Sequence, residues 1–233
     1  MGQYYHPTIM GKRYGVHGWL YSHEYNNGLK LMEHSYLGND FVNAVLRKIN
    51  HQPMRIAWMG DYAESPYIDK DAPDTPDNPH MAIEPYMRKL PKADFMRIWQ
   101  SVYGEVEDGQ RLKAKAPKIH PEPLEGFDSP DRFDGWYLIN HSANEYVDLG
   151  KFQKENGWVE SWTDRDGQKV SYWMAVHPLP LLTACGNNRG GGDYHEKYPD
   201  YDLVGIWAFD LIEFASYKPV GFTERIVKFK EEV

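Results

Sequence analysis

The chain has a single cysteine, Cys185, in 233 residues. No internal disulfide can form, and the expected compartment is a reducing, cytoplasmic one. It has no apolar run of membrane length and no basic-then-apolar leader at its start, so a membrane is not an expected partner. Gly2 invites a myristoylation reading, but that motif needs Ser or Thr where His6 stands. Basic residues are in the minority, 26 against 34 acidic ones, for a net charge of −8. Such a balance repels phosphate backbones. The densest basic stretch, Arg111 to Lys118, sits beside Pro117 and Pro121 and reads as a solvated loop, so nucleic acid is not expected as a partner either. There is no Gly-x-Ser-x-Gly elbow, and Cys185 lies in no nucleophile motif. His-Glu occurs at 23–24 and 195–196 without a second histidine at zincin spacing, and no Cys or His pair has the spacing of a closed zinc site. No metal and no cofactor is expected.

Aromatic residues are abundant: 17 Tyr, 8 Trp and 9 Phe. They combine large apolar area with polar handles, which suits a tyrosine-rich core and half-buried binding surfaces. Hydrophobic residues make up 41% of the chain, which is ordinary globular usage. A chain of this length can bury enough surface to need no disulfide or metal. The spacing predicts a strand over His17–Tyr21 and a short helix over Leu29–His34. A helix from an Asn39/Asp40 cap to about Asn50 carries a stripe of Phe41, Val42, Val45, Leu46 and Ile49. Arg55–Met59 reads as a strand and Ala93–Tyr103 as a helix. Hairpins are expected over 136–149 and over 158–176, the second with an Asp-Gly turn at Gly167. Val204–Phe214 and Glu224–Phe229 read as strands. Residues 64–91, with six prolines and aspartates between them, read as an acidic, proline-rich insertion or loop, and 104–134 as a second irregular loop. Neither half carries a core of its own. The expectation is one α+β domain over 1–233, with a mainly antiparallel sheet in the C-terminal half and two or three helices in the N-terminal half.

The segment His177-Pro-Leu-Pro-Leu-Leu-Thr-Ala-Cys-Gly186-Asn-Asn-Arg189-Gly-Gly-Gly192-Asp193-Tyr194 is the most distinctive. Three successive glycines leave the backbone bare, which lets N–H groups converge on a phosphate or carboxylate. Arg189 supplies a two-donor clamp and Asp193 an acceptor for a ribose hydroxyl or a water. The candidate ligand-binding residues are therefore Arg189, Gly190, Gly191, Gly192, Asp193 and Tyr194. The competing reading is a tight structural loop with Arg189 paired to an acid of the fold. Gly-Asp-Tyr recurs at 60–62, so Asp61 and Asp193 form a candidate acid–base or metal pair, with His177 or His195 as a candidate base; His23, His34 and His141 also stand in informative segments, and the competing reading of each histidine is a structural or surface residue. The competing reading is an aspartate that caps a turn.

Taken together, Met1-Gly-Gln-Tyr-Tyr5, Tyr21 to Gly28 with Leu31-Met-Glu-His34, Arg55 to Tyr62, Tyr137 to His141, His177 to Tyr194 and Val204 to Asp210 resemble a family of uncharacterised bacterial and phage proteins that open with Met-Gly-Gln-Tyr-Tyr. The resemblance spans most of the chain outside 64–134. Asn188 stands where that family usually has glycine. The resemblance implies a phage or mobile-element source and assigns no catalytic residues. Two functions are expected in order. The first is a binding protein that sequesters a small anionic, nucleotide-like ligand or inhibits a host protein. The second is a hydrolase acting on a nucleotide-like or phosphate-ester substrate. The sequence carries no signal for oligomeric state.

Overall fold

The computed structural model describes residues 2–63, 89–104, 106–107, 110–111, 114–163, 165–186, 192–194 and 197–229. Their fold is α+β, with five α-helices and a mixed, mainly antiparallel eight-stranded sheet. The strands are β1 (Tyr5–Met10), β2 (Val16–Trp19), β3 (Met54–Gly60), β4 (Val106–Glu107), β5 (Gln110–Arg111), β6 (Tyr137–Asn140), β7 (Glu145–Asp148), β8 (Trp158–Thr163), β9 (Lys169–Met174), β10 (Ala184–Cys185), β11 (Leu211–Ala215) and β12 (Thr223–Glu224). The helices are α1 (Leu31–His34), α2 (Asp40–Ile49), α3 (Lys92–Tyr103), α4 (Leu149–Asn156) and α5 (Pro178–Leu182). The main sheet runs β12-β7-β6-β11-β3-β1-β2, and β10 pairs with β3 off this path.

Strand β3 organises the molecule. Its run Ile-Ala-Trp-Met has no polar alternation, the pattern of a strand covered on both faces. On one edge β1 pairs with it antiparallel from Tyr5↔Gly60 to Met10↔Arg55. The other edge is shared: β11 takes Met54 and Arg55, and β10 runs parallel beside Trp58 and Met59. Ile56 and Trp58 point into the larger core, with Tyr5, Ile9, the apolar stripe of α2 and the leucines of α5. Ala57 and Met59 point into a second core, closed by Phe95, Ile98, Trp99 and Val102 of α3. Asn39 caps α2 by accepting from the N–H groups of Phe41 and Val42, as its sequence position predicts. Gly104, at φ +82°, ends α3 and donates to the Gln100 carbonyl.

The sheet is not confined to the C-terminal half, because β1, β2 and β3 supply its central and edge positions. Two expected strands are much shorter in the structure. Of Val204–Phe214 only Leu211–Ala215 is strand. The residues before it fold as buried turns whose N–H groups bind the carbonyls of Leu181, Leu182 and Ile56. Of Glu224–Phe229 only Glu224 is strand, and with Thr223 before it pairs in parallel with β7. The expected 136–149 hairpin is present, but Leu149 already opens α4, where the Asp148 carboxylate accepts from Lys151 N–H. The hairpin β8–β9 forms in register and pairs with no other strand among the described residues. Most of the 64–91 stretch lies outside the described residues. Within 104–134 the short β4–β5 hairpin and a 3-10 turn at Pro130–Phe133 interrupt the expected irregular loop.

Candidate functional site

Parallel pairing of β3 with β10 places two strand ends side by side, and β1, antiparallel to β3, begins at the same end. The chain therefore brings Gly60–Asp61, Gly186 and residues 3–5 together. Gln3 fits into this corner and is fully buried. A Cβ on Gly60 or on Gly186 would collide with the Gln3 amide, and one on Gly186 would also collide with the Tyr5 hydroxyl. That hydroxyl donates to Gln3 Oε1 at 2.9 Å. These two glycines are thus bare because a glutamine fills the space a side chain would take. Asp61 closes the corner reciprocally. Its N–H donates to the Tyr4 carbonyl at 3.0 Å, and its Oδ1 accepts from Tyr4 N–H at 3.0 Å. The Tyr103 hydroxyl lies 2.6 Å from the Met59 carbonyl and 3.0 Å from that of Tyr4, tying α3 to the same end.

A second set of segments joins from the side of α1. Tyr5 N–H donates to Leu29 carbonyl, and Met32 N–H donates to the carbonyl of Gly192, both at 2.9 Å. Gly192 has φ +89°, and the aliphatic stem of Lys30 lies against its Cα. The Lys30 ammonium is at 3.5 Å from Glu33, and the Lys30 side chain is about one-third exposed. The Glu33 carboxylate in turn accepts from Lys30 N–H at 3.1 Å. Beneath this layer Trp58 Nε1 donates to His34 Nε2 at 2.8 Å, and His34 Nδ1 lies 3.1 Å from the Gly28 carbonyl. An indole N–H only donates, so Nε2 of His34 is the acceptor and Nδ1 carries the proton given to Gly28. Burial pushes the His34 pKa down to about 4, which keeps the ring neutral.

The candidate residues are distributed as follows. Asp61, Gly192, Asp193 and Tyr194 belong to the segments that meet around residues 3–5 and 28–32. Asp193 is buried at 2% exposure. Tyr194 is a core residue: its hydroxyl donates to the Pro199 carbonyl at 2.7 Å and its ring packs on Tyr198 and Phe229. His177 is fully buried and caps α5, accepting from Leu179 N–H through Nδ1 while its own N–H donates to the Ser35 carbonyl. Burial lowers its pKa to about 3, and its ring meets Phe133 edge-to-face. Arg189, Gly190, Gly191 and His195 lie outside the described residues. Among the described residues no three His, Cys, Asp or Glu side chains gather as a metal site. None of their helices is long and apolar enough to cross a membrane.

The sequence does not mark Gln3 or Lys30 as parts of this site, whereas His34 stands among the histidines weighed as a base and is fully buried. The Met-Gly-Gln-Tyr-Tyr opening was the one available signal for Gln3. The sequence marks His141 as a possible base but not its partner on the far half of the sheet, where Glu213, 4% exposed, accepts from Tyr217 at 2.8 Å and lies 2.6 Å from His141 Nε2. No protein-family model, curated protein or solved structure matches this chain.

Proposed function

We propose that the chain is a binding protein that sequesters a small anionic, nucleotide-like ligand at the sheet end formed by β1, β3 and β10. The observation that carries this reading is the contact between Lys30 and Gly192. It lays the aliphatic stem of a part-exposed lysine against the segment that also holds Arg189 in the sequence. A lysine against this segment, and an arginine followed by three glycines within its sequence, are the residue types that suit a phosphate or carboxylate. A cytoplasmic setting and a phage or mobile-element source belong to the same proposal, the first resting on the single, buried Cys185 and the second on the resemblance of the motif segments. Thermal-shift measurement against nucleotides, cyclic and ADP-ribose-type signals and sugar phosphates tests it. Ligand at ~100 times its dissociation constant adds roughly 2.7 kcal/mol, about 2–4 °C for a chain of this size. The expected result is a shift lost in both Arg189→Ala and Lys30→Ala. A shift that survives both substitutions sinks the assignment of the site. No shift across the panel leaves the sheet end a packing device and turns the search to inhibition of a host protein.

The second reading is a hydrolase acting on a phosphate ester at the same place. It is favoured by Asp61 and Asp193 both lying in segments that converge there. Against it, Asp61 spends a carboxylate oxygen on Tyr4 N–H, and His177 is sealed in the core as a helix cap. Phosphate release from the panel by the native chain but not by Asp193→Asn would replace the first reading with this one.

A further inference from the structure

Away from the sheet end, the segment 122–128 is laced to α2 through Asn43. The Asn43 carbonyl accepts from Leu124 N–H at 3.2 Å, and its side-chain amide donates to the Phe127 carbonyl at 2.8 Å. Between helix and segment runs a groove of about 420 Å³, lined among others by Asp40, Asn43, Arg47, Glu122, Glu125 and Asp128. The four acidic side chains are exposed. Among the described residues none of them has a cationic partner within 4.0 Å. Asn43 is 2% exposed, and with its nitrogen held by Phe127 its Oδ1 accepts from no described group. A buried acceptor in a groove walled by carboxylates calls for a donor that also carries positive charge.

We propose that this groove takes the guanidinium of an arginine on a partner protein. A planar cation with five N–H donors serves several carboxylates and an amide oxygen together, whereas an ammonium offers three donors around a point. Two features oppose a cation here, the positive end of the α2 dipole and Arg47. Asn39 already occupies the Phe41 and Val42 N–H groups at that helix end, and four carboxylates face the one guanidinium. The acidic excess of the whole chain, −8, speeds encounter with a basic partner. This inference is independent of the ligand assigned to the sheet end, since the two sites share no residue.

The test is an amide NMR titration of the full chain with a capped Arg-Gly-Arg-Gly-Arg peptide and its lysine counterpart. The expected result is saturable shifts at Leu124, Phe127, Asp128 and the Asn43 side-chain amide, with the arginine peptide bound at least fivefold tighter. The combined variant Asp40→Asn, Glu122→Gln, Glu125→Gln, Asp128→Asn should weaken that binding at least tenfold while its spectrum stays dispersed. All four positions are exposed, so folding is not at stake. Shifts that fail to saturate, that scatter over other acidic surfaces, or that persist in the variant overturn the proposal. Equal binding of the lysine peptide overturns the guanidinium assignment.

Discussion

Strand β3 and the hairpin β8–β9 are made of similar residues and meet opposite fates. Both carry Trp, Val-sized aliphatics and Met, yet Trp58, Ile56 and Met59 are fully buried, while Val159 is 62% and Trp173 43% exposed. The difference is neighbours. β3 has a strand on each edge and a core on each face, whereas each strand of the hairpin has only the other among the described residues. Trp173 at least covers the bare backbone of Gly157, and Trp158 meets Tyr36 edge-to-face, so the hairpin is tethered at its base. A two-stranded ribbon by itself is marginal in water. Composition alone therefore says little about where stability sits. What decides is whether an apolar residue has partners on both sides.

The strongest way to break this contrast is at Trp58. Trp58→Ala should destabilise the chain by about 3–5 kcal/mol, a large fraction of a typical domain's total. Trp58→Phe keeps most of the apolar volume but leaves His34 Nε2 without its donor, so it should still cost about 1–3 kcal/mol. Urea unfolding followed by far-ultraviolet circular dichroism measures both. A loss below about 1 kcal/mol for the alanine variant would show that β3 is not the centre of the fold.

How far the sequence revealed these regions follows from the same logic. The α2 cap and stripe were legible because both signals are local: Asn39 binds its own helix and the stripe has helical spacing. β3 was legible from its unbroken apolar run. The similar run Val-Gly-Ile-Trp-Ala-Phe was misread as strand, because a buried turn needs the same residues. Gly205 at φ +79° and Phe209 at φ +66° bend it, and its N–H groups bind two separate segments, α5 and β3. The strand β1 was hidden by Pro7 and by glycine punctuation nearby. Helix α5 was hidden by Pro178 and Pro180, though prolines in a first turn forfeit no intrahelical bond. In the candidate site the glycine-rich segments were visible as motifs. Their partners Gln3 and Lys30 were not, because those contacts join residues more than fifty and more than one hundred positions apart, and no spacing rule reaches that far.

Acid sharpens the contrast with a smaller effect. His34 and His177, both fully buried, have folded-state pKa values of about 4 and about 3, below the ordinary 6.5. In the unfolded chain each gains a proton near its ordinary value, so between pH 6.5 and about 4 the unfolded state binds more protons. Stability is therefore full above pH 6.5 and falls as pH drops, by about tenfold in the unfolding constant per pH unit for each ring. These two rings should make stability at pH 7.0 and 5.5, measured by urea unfolding, differ by about 2–3 kcal/mol, and His6, whose pKa burial also lowers to about 4, adds in the same direction. A flat profile over that range would show that these rings are protonated in the folded state or that they open to water.

The smallest effect belongs to the hairpin, and it is the most discriminating. Val159→Ser removes an exposed methyl pair from a ribbon that pairs with no other strand among the described residues, so global stability should change by no more than about 0.5 kcal/mol. Amide hydrogen exchange should separate the two regions in one experiment. Amides of β3, paired with β1 and with the Thr183 carbonyl, should exchange only through global unfolding. Those of β8 and β9 should exchange through local opening at far lower free energy, and Val159→Ser should speed them without altering β3. If the hairpin amides are instead protected as strongly as those of β3 at micromolar protein, and lose that protection on dilution, then the free edges and the exposed Val159 and Trp173 are covered by a second copy in solution. The contrast drawn from the isolated chain would then hold only for the monomer.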